Sequence, residues 1–182
     1  MRVVPTALPG VLIVESPVFG DARGFFTEVY HAEKFAANGL STTFAQDNHS
    51  RSVRHTLRGL HYQLEHPQGK LVRAVTGSIF DTVVDVRRSS STFGQWIGVT
   101  LTEGDGRQLW IPPGFAHGFL VLSEIADMSY KCTTVHHSAS DRCIAWNDGQ
   151  IGIDWPLPPG ATPLLSGKDA ASPSLSSADL YP

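Results

Sequence analysis

A histidine lies among cations in the run Leu57-Arg58-Gly59-Leu60-His61-Tyr62-Gln63, which is followed closely by Gln68-Gly69-Lys70-Leu71-Val72-Arg73. An imidazole titrates near pH 6.5, so it is the side chain best suited to take and return a proton at neutral pH. Fixed positive charge beside it suits proton transfer on an anionic substrate. Both runs read as strands, which sets His61 and Lys70 on adjacent strands. The rest of the chain must supply an acid and a binding site.

The charge distribution points the same way. The 182 residues carry a formal net charge of −3, yet seven of the 14 Lys and Arg (Arg51, Arg54, Arg58, Lys70, Arg73, Arg87 and Arg88) fall between positions 51 and 88. A basic cluster inside a mildly acidic protein fits a small anion, whereas nucleic acid needs a broad basic footprint. The length suffices for one well-buried core and not for two of ordinary size, so residues 1–182 are expected to form a single domain. No apolar run of signal-peptide length follows Met1, and no window approaches the ~20 apolar residues of a membrane span. Cytoplasmic residence is the expectation, with Cys132 and Cys143 as small buried thiols left unpaired.

Short β-rich runs separated by turn residues dominate the chain: Lys70 to Val75, Ile79 to Val86, Gln95 to Leu101, Arg107 to Ile111 and Phe119 to Leu122. Breakers at Gly77, Gly94, Gly104, Gly106 and Pro112-Pro113-Gly114 punctuate them. Helix is expected at Ala32 to Asn38, stopped by Gly39, with a turn near Ser138 to Arg142. This spacing predicts a sandwich or barrel. Trp96, Trp110 and Trp155 read as core aromatics. Residues 170–182, rich in Ser, Ala and Pro, read as a loosely ordered surface tail.

The stretch Gly106 to His117, ending Pro113-Gly114-Phe115-Ala116-His117, resembles the second motif of cupins, in which a Pro-x-Gly turn delivers a His into a jelly-roll interior. The fold implied is all-β: a cupin-like jelly roll, or double-stranded β-helix, with short peripheral helices. Many cupins bind a metal through that His, an earlier His-x-His and a Glu. Here the earlier motif reads His61-Tyr62-Gln63, and no metal site is expected.

A denser set of strings is similar to the dTDP-4-dehydrorhamnose 3,5-epimerase family. These are Phe19 to Glu28, Gln46-Asp47-Asn48-His49-Ser50, Leu57 to Gln63, Gly69 to Arg73, Trp110 to Phe119, Tyr130-Lys131-Cys132-Thr133, Trp146-Asn147-Asp148, Ile153-Asp154-Trp155-Pro156 and Leu165-Ser166-Gly167-Lys168-Asp169. They run in family order from Phe19 to Asp169. The resemblance implies a dTDP-linked 4-keto-6-deoxy sugar as substrate, no cofactor, and a homodimer. Residue by residue, it implies His61 as base, Asp169 as the carboxylate that orients it, Tyr130 as acid and Lys70 as stabiliser of the developing oxyanion. Arg23 and Arg58 match pyrophosphate clamps, with Lys168 as a third charge. Phe26, Glu28, Gln46 and Asn48 match positions that hold the base, sugar or phosphates, and His117 one that contacts substrate. In the family the Arg23 to Glu28 segment reaches the neighbouring subunit's site.

The chemistry is consistent with those residues. A 4-keto group acidifies the hydrogens on both flanking carbons, so a base removes one and an acid returns a proton to the opposite face. One departure stands out: at His136 many relatives carry a bulky aromatic, often Tyr, which leaves open whether both carbons are inverted. Three alternatives follow, a 3-mono-epimerase, a non-catalytic nucleotide-sugar-binding cupin and a metal-dependent cupin. A binding-only protein could dispense with His61, Tyr130 or Asp169, all present here, and Gln63 spoils the metal shell. His31, His49, His55 and His66 read as solvated side chains.

Overall fold

The computed structural model describes residues 1–182. The chain forms β1 (Arg2–Pro5), β2 (Leu12–Glu15), β3 (Val18–Asp21), β4 (Gly24–Thr27), α1 (Ala32–Ala37), β5 (Gln46–Val53), β6 (Leu57–Gln63), β7 (Lys70–Thr76) and β8 (Ser78–Asp85). There follow β9 (Trp96–Thr102), β10 (Arg107–Ile111), β11 (Phe115–Val121), β12 (Ile125–Cys132), β13 (Asp141–Cys143) and α2 (Gly167–Ala170).

One sheet has the order β1-β2-β10-β7-β12-β5 and the other β13-β6-β11-β8-β9, while β3 and β4 pair only with each other. From β5 onward the chain passes from one sheet to the other at every connection except β8 to β9. That alternation makes the sandwich a cupin-like jelly roll. Each crossing buries the apolar face of a strand between the layers, where Val72, Leu109, Ile111 and Met128 of the first sheet meet Ile79, Val83, Phe115, Phe119 and Val121 of the second. The expected strands are all present, although Phe119 to Leu122 proves to be the end of a longer strand that begins at Phe115 and is buried throughout. Pro113 and Gly114, with a φ of +96° at the glycine, turn the chain from β10 into β11, a conformation that costs a glycine little.

β11 is buried on both faces because the second sheet is covered on its far side as well. Leu57, Leu60 and Tyr62 of β6 and Ala116 and Leu120 of β11 pack there against Ile144, Ile151, Trp155, Leu175 and Ala178. The expectation of a loosely ordered tail is corrected by this packing. Most of residues 170–182 do lie exposed, but Leu175 and Ala178 are buried in the core. Tyr62 Oη donates to the carbonyl of Asp179, Tyr181 Oη donates to that of Gln63, and Leu175 N–H donates to Asp148 Oδ2 at 2.8 Å. Burial of the Tyr181 ring pushes its phenol up to about 12. The tail is thus a strap under the strand that carries His61.

α1 closes the outer face of the first sheet with Phe35 against Val14, Leu71 and Trp110. Cys132 and Cys143 are free, Cys132 buried and Cys143 half-buried. His49 is solvated as expected, on the edge strand β5, and its Nε2 lies 2.9 Å from Asp127 Oδ1. No helix is long and apolar enough to cross a membrane.

Candidate active site

At one end the two sheets part around a cavity of about 450 Å³. Its floor is the inner face of the first sheet. Across β7, β12 and β5 the register sets Lys70, Cys132 and Gln46 in one row, Val72, Tyr130 and Asn48 in the next, and Ala74, Met128 and Ser50 in a third. Residues opposite one another on antiparallel strands point to the same side, so alternate residues of each strand reach the cavity together. The facing wall is the second sheet, where His117 of β11 pairs directly with His61 of β6. β6 and β11 approach closely at two glycines: a Cβ on Gly59 would meet the Cα of Gly118 at 2.6 Å.

His61 Nε2 lies 2.5 Å from Asp169 Oδ1. Asp169 is only 4% exposed, in the first turn of α2, where its backbone N–H is capped by Ser166 and its Oδ2 accepts from the Ser166 hydroxyl at 2.8 Å. Burial resists its ionisation, but the bond and charge of His61, the Ser166 hydroxyl and the Gly59 N–H outweigh it, and the carboxyl is held below its ordinary value. A carboxylate on Nε2 keeps the proton there and leaves Nδ1 as the basic nitrogen. Arg58, His61 and Lys168 also border a smaller depression lined by Leu164, Leu165, Ser166 and Asp169.

Tyr130 and Lys70 rise from the opposite sheet, so Lys70 stands across the cavity from His61 and not on a strand adjacent to it, as the sequence suggests. Burial pushes the Tyr130 phenol above its ordinary pKa, with Arg58 pulling slightly the other way, so it is a protonated donor at neutral pH. Partial burial beneath the cavity lowers the Lys70 pKa, partly offset by the neighbouring Cys132 sulfur and the carboxylates of Asp141 and Asp81. A cation short of solvent is well prepared to meet a developing oxyanion. The cavity therefore carries an imidazole–carboxylate pair on one wall and a phenol with an ammonium on the other.

His117 lines the same cavity, but its Nε2 is 3.0 Å from both oxygens of Asp81, a carboxylate with no exposure. The pairing compensates a buried charge and leaves Nδ1 for a ligand. Gln63 serves the fold: its amide donates to the His66 carbonyl and accepts from the His137 N–H. No cluster of three His, Cys, Asp or Glu side chains is arranged to hold a metal.

Along β5 the inner ladder is polar. Gln46 Nε2 donates to Asn48 Oδ1 at 2.9 Å and Gln46 Oε1 accepts the His136 N–H at 2.8 Å, while Asn48 Nδ2 reaches Cys132 Sγ at 3.5 Å. The Ser50 hydroxyl is buried without a partner. Arg58 donates from Nε and Nη2 to Ser52 Oγ. Lys168 lines the cavity, but its Nζ is bound to the Asp141 carboxylate, so its charge is partly neutralised. His136 stands at the mouth.

Of the residues expected at the site, His61, Lys70, Tyr130, Gln46, Asn48, Arg58, His117 and Lys168 line one cavity, with Asp169 directly behind His61. Arg23, Phe26 and Glu28 do not join them. Phe26 is 68% exposed on the β3–β4 arm, Arg23 is paired with Asp21, and Glu28 with Lys34. Asp81 and Asp141 were missed, since a lone Asp in a strand carries no local signal of a partner 36 or 27 residues away.

The fold and the cavity define a cupin-type enzyme of acid–base chemistry. Residues 5–177 match the family described as dTDP-4-dehydrorhamnose 3,5-epimerase. The chain is 52% identical to a dTDP-4-dehydrorhamnose 3,5-epimerase of Pseudomonas aeruginosa, covering 100% of both chains. It is 53% identical to one of Salmonella typhimurium, over 98% of this chain and 97% of that one. It also superposes with a TM-score of 0.93 and 47% identity on the dTDP-6-deoxy-D-glucose-3,5-epimerase of Legionella pneumophila solved with dTDP-4-keto-L-rhamnose, over 98% of this chain and 94% of that one. This chain belongs to the dTDP-4-dehydrorhamnose 3,5-epimerase family.

Proposed function

We propose that the enzyme inverts C3 and C5 of dTDP-4-keto-6-deoxy-D-glucose to give dTDP-4-keto-L-rhamnose, with His61 as base and Tyr130 as acid. The observation that carries this reading is the imidazole–carboxylate pair of His61 and Asp169 on one wall of the cavity with Tyr130 and Lys70 on the other. His61 Nδ1 takes the proton from a carbon beside the ketone. The electron pair moves onto the 4-oxygen, where Lys70 meets the enolate charge. As the carbonyl re-forms, Tyr130 delivers a proton to the opposite face of that carbon. The imidazolium then gives its proton to solvent and the phenolate regains one, which resets both groups and brings solvent hydrogen into the product. Epimerisation leaves the oxidation state of the sugar unchanged, so the step balances without a redox partner.

Arg58, Gln46 and Asn48 hold the nucleotide diphosphate, and His117 Nδ1 contacts the sugar. The enzyme works as a homodimer in which the Arg23, Phe26 and Glu28 arm of one protomer completes the cavity of the other. In support, Phe19, Phe25 and Phe26 of that arm are all more than half exposed, an apolar surface that a monomer would leave in water. Residence in the cytoplasm suits the two free thiols.

Proton NMR of the substrate in deuterated buffer tests the reading, following signal loss at C3 and C5 separately. Loss at both positions is expected. Loss at C3 alone would make the protein a mono-epimerase with His136 as the first residue to exchange for Tyr, and no loss at either would remove the catalytic reading.

A further inference from the structure

Ser52 plays no part in the chemistry above, yet it is a polar side chain only 5% exposed, on an edge strand whose neighbours Arg51 and Val53 face solvent. Its hydroxyl oxygen receives two bonds from a single guanidinium, Arg58 Nε at 3.1 Å and Nη2 at 3.0 Å. Arg58 itself is exposed on β6 and lines the cavity. One edge of its fork is thereby occupied by a protein oxygen, and Nη1 with the second hydrogen of Nη2 remains for a ligand.

We infer that Ser52 is a positioning residue for the diphosphate: it acts through Arg58, holding the guanidinium in its binding orientation before the nucleotide arrives. An exposed arginine samples many rotamers, and freezing it on binding costs affinity. A hydroxyl on a buried strand position freezes it in advance. The tether also links β5, which carries Gln46 and Asn48, to β6, which carries His61, from one sheet to the other.

This inference rests on the proposed dTDP-sugar site. Its test is a double-mutant cycle read by calorimetric binding of dTDP and, in competition, of thymidine. Ser52→Ala is expected to weaken dTDP about three- to tenfold, the cost of ordering one long side chain, and to leave thymidine binding as it is. Added to Arg58→Ala, the same substitution is expected to cost nothing further. Ser52→Cys, which keeps the size of the side chain but offers only a weak acceptor, runs the same cycle where the alanine variant does not fold. Equal dTDP affinity in wild type and Ser52→Ala, or an equal loss in the Arg58→Ala background, would overturn the positioning role while leaving the site reading intact. Failure of the wild-type protein to bind dTDP would overturn the site reading, and this inference with it.

Discussion

Asp169→Asn is the sharpest probe of the proposed base. The carboxylate sits 2.5 Å from His61 Nε2 and is nearly sealed from solvent, so it stabilises the imidazolium that forms when a proton leaves the sugar. Two unit charges about 4 Å apart at an effective dielectric of about 20 interact by about 4 kcal/mol. His61 faces an open cavity with its side chain 31% exposed, which screens the pair and leaves about 3 kcal/mol. At 1.36 kcal/mol per decade this is a loss of about 10²-fold. The carboxamide adds a second penalty. Its NH₂ can donate to Nε2 and drive the ring proton onto Nδ1, the nitrogen that must be basic; a comparable Asp→Asn change in a serine protease costs about 10⁴. Deuterium entry at C3 and C5 should therefore slow by 10² to 10⁴ together, while dTDP affinity stays within twofold of wild type. Retention of more than a tenth of the wild-type exchange rate would refute the assignment of Asp169 as orienting partner.

Lys70→Met should lower the exchange rate by about 10²- to 10³-fold, the cost of one oxyanion donor, yet raise the melting temperature, because burying an ammonium disfavours the folded state. Its pKa is depressed below the ordinary 10.5 and catalysis needs the charged form. Wild-type activity should therefore fall as pH rises through that lowered value, a limb that Lys70→Met lacks and that Tyr130, shifted upward, does not supply. Leu175→Ala should cost 2 to 5 kcal/mol as a large-to-small core change, or about 5 to 15 °C in a scanning calorimeter for a chain of this size; an unchanged melting temperature would mean that the strap does not carry stability. Mixing Arg23→Ala with His61→Asn protomers should restore about a quarter of wild-type activity, since each mixed dimer regains one intact cavity only if the arm acts across a two-fold interface. No gain on mixing would assign the arm to its own chain or to no site.

The strands were legible because alternation and turn residues are local signals: Arg107 to Ile111 matches β10 at both ends, and Pro113-Gly114 marks the entry to β11. Composition misled at the tail. A Ser-rich segment reads as disordered, but Leu175, Ala178, Leu180 and Tyr181 present enough apolar surface to reach the core under β6. That spacing was the available signal, and it was outweighed by the polar residues between. Asp81 could not be found from the chain, since its role exists only once β8 and β11 pair and bring it to His117. Lys168 lines the cavity, but its charge is less free than the sequence suggests, because its partner Asp141 comes from β13.

The distribution of these residues over the fold bears on the role proposed for the arm. The proposed base and its carboxylate stand on the second sheet and α2, the proposed acid and oxyanion cation on the inner strands β12 and β7, and the proposed nucleotide contacts on β6, through Arg58, and on β5, an edge strand with one side unpaired. Proton transfer is therefore framed by two sheets that cannot shift without disturbing a close-packed core, whereas the proposed nucleotide contacts of β5 lie at a sheet edge. An arm with three exposed phenylalanines and an arginine 90% exposed in its side chain is the element of this chain proposed to complete the cavity of the other protomer. Chemistry built from one subunit and recognition shared between two would couple substrate affinity to dimerisation while leaving the proton-transfer pair untouched. Dilution below the dimer dissociation constant should then raise KM before it lowers kcat.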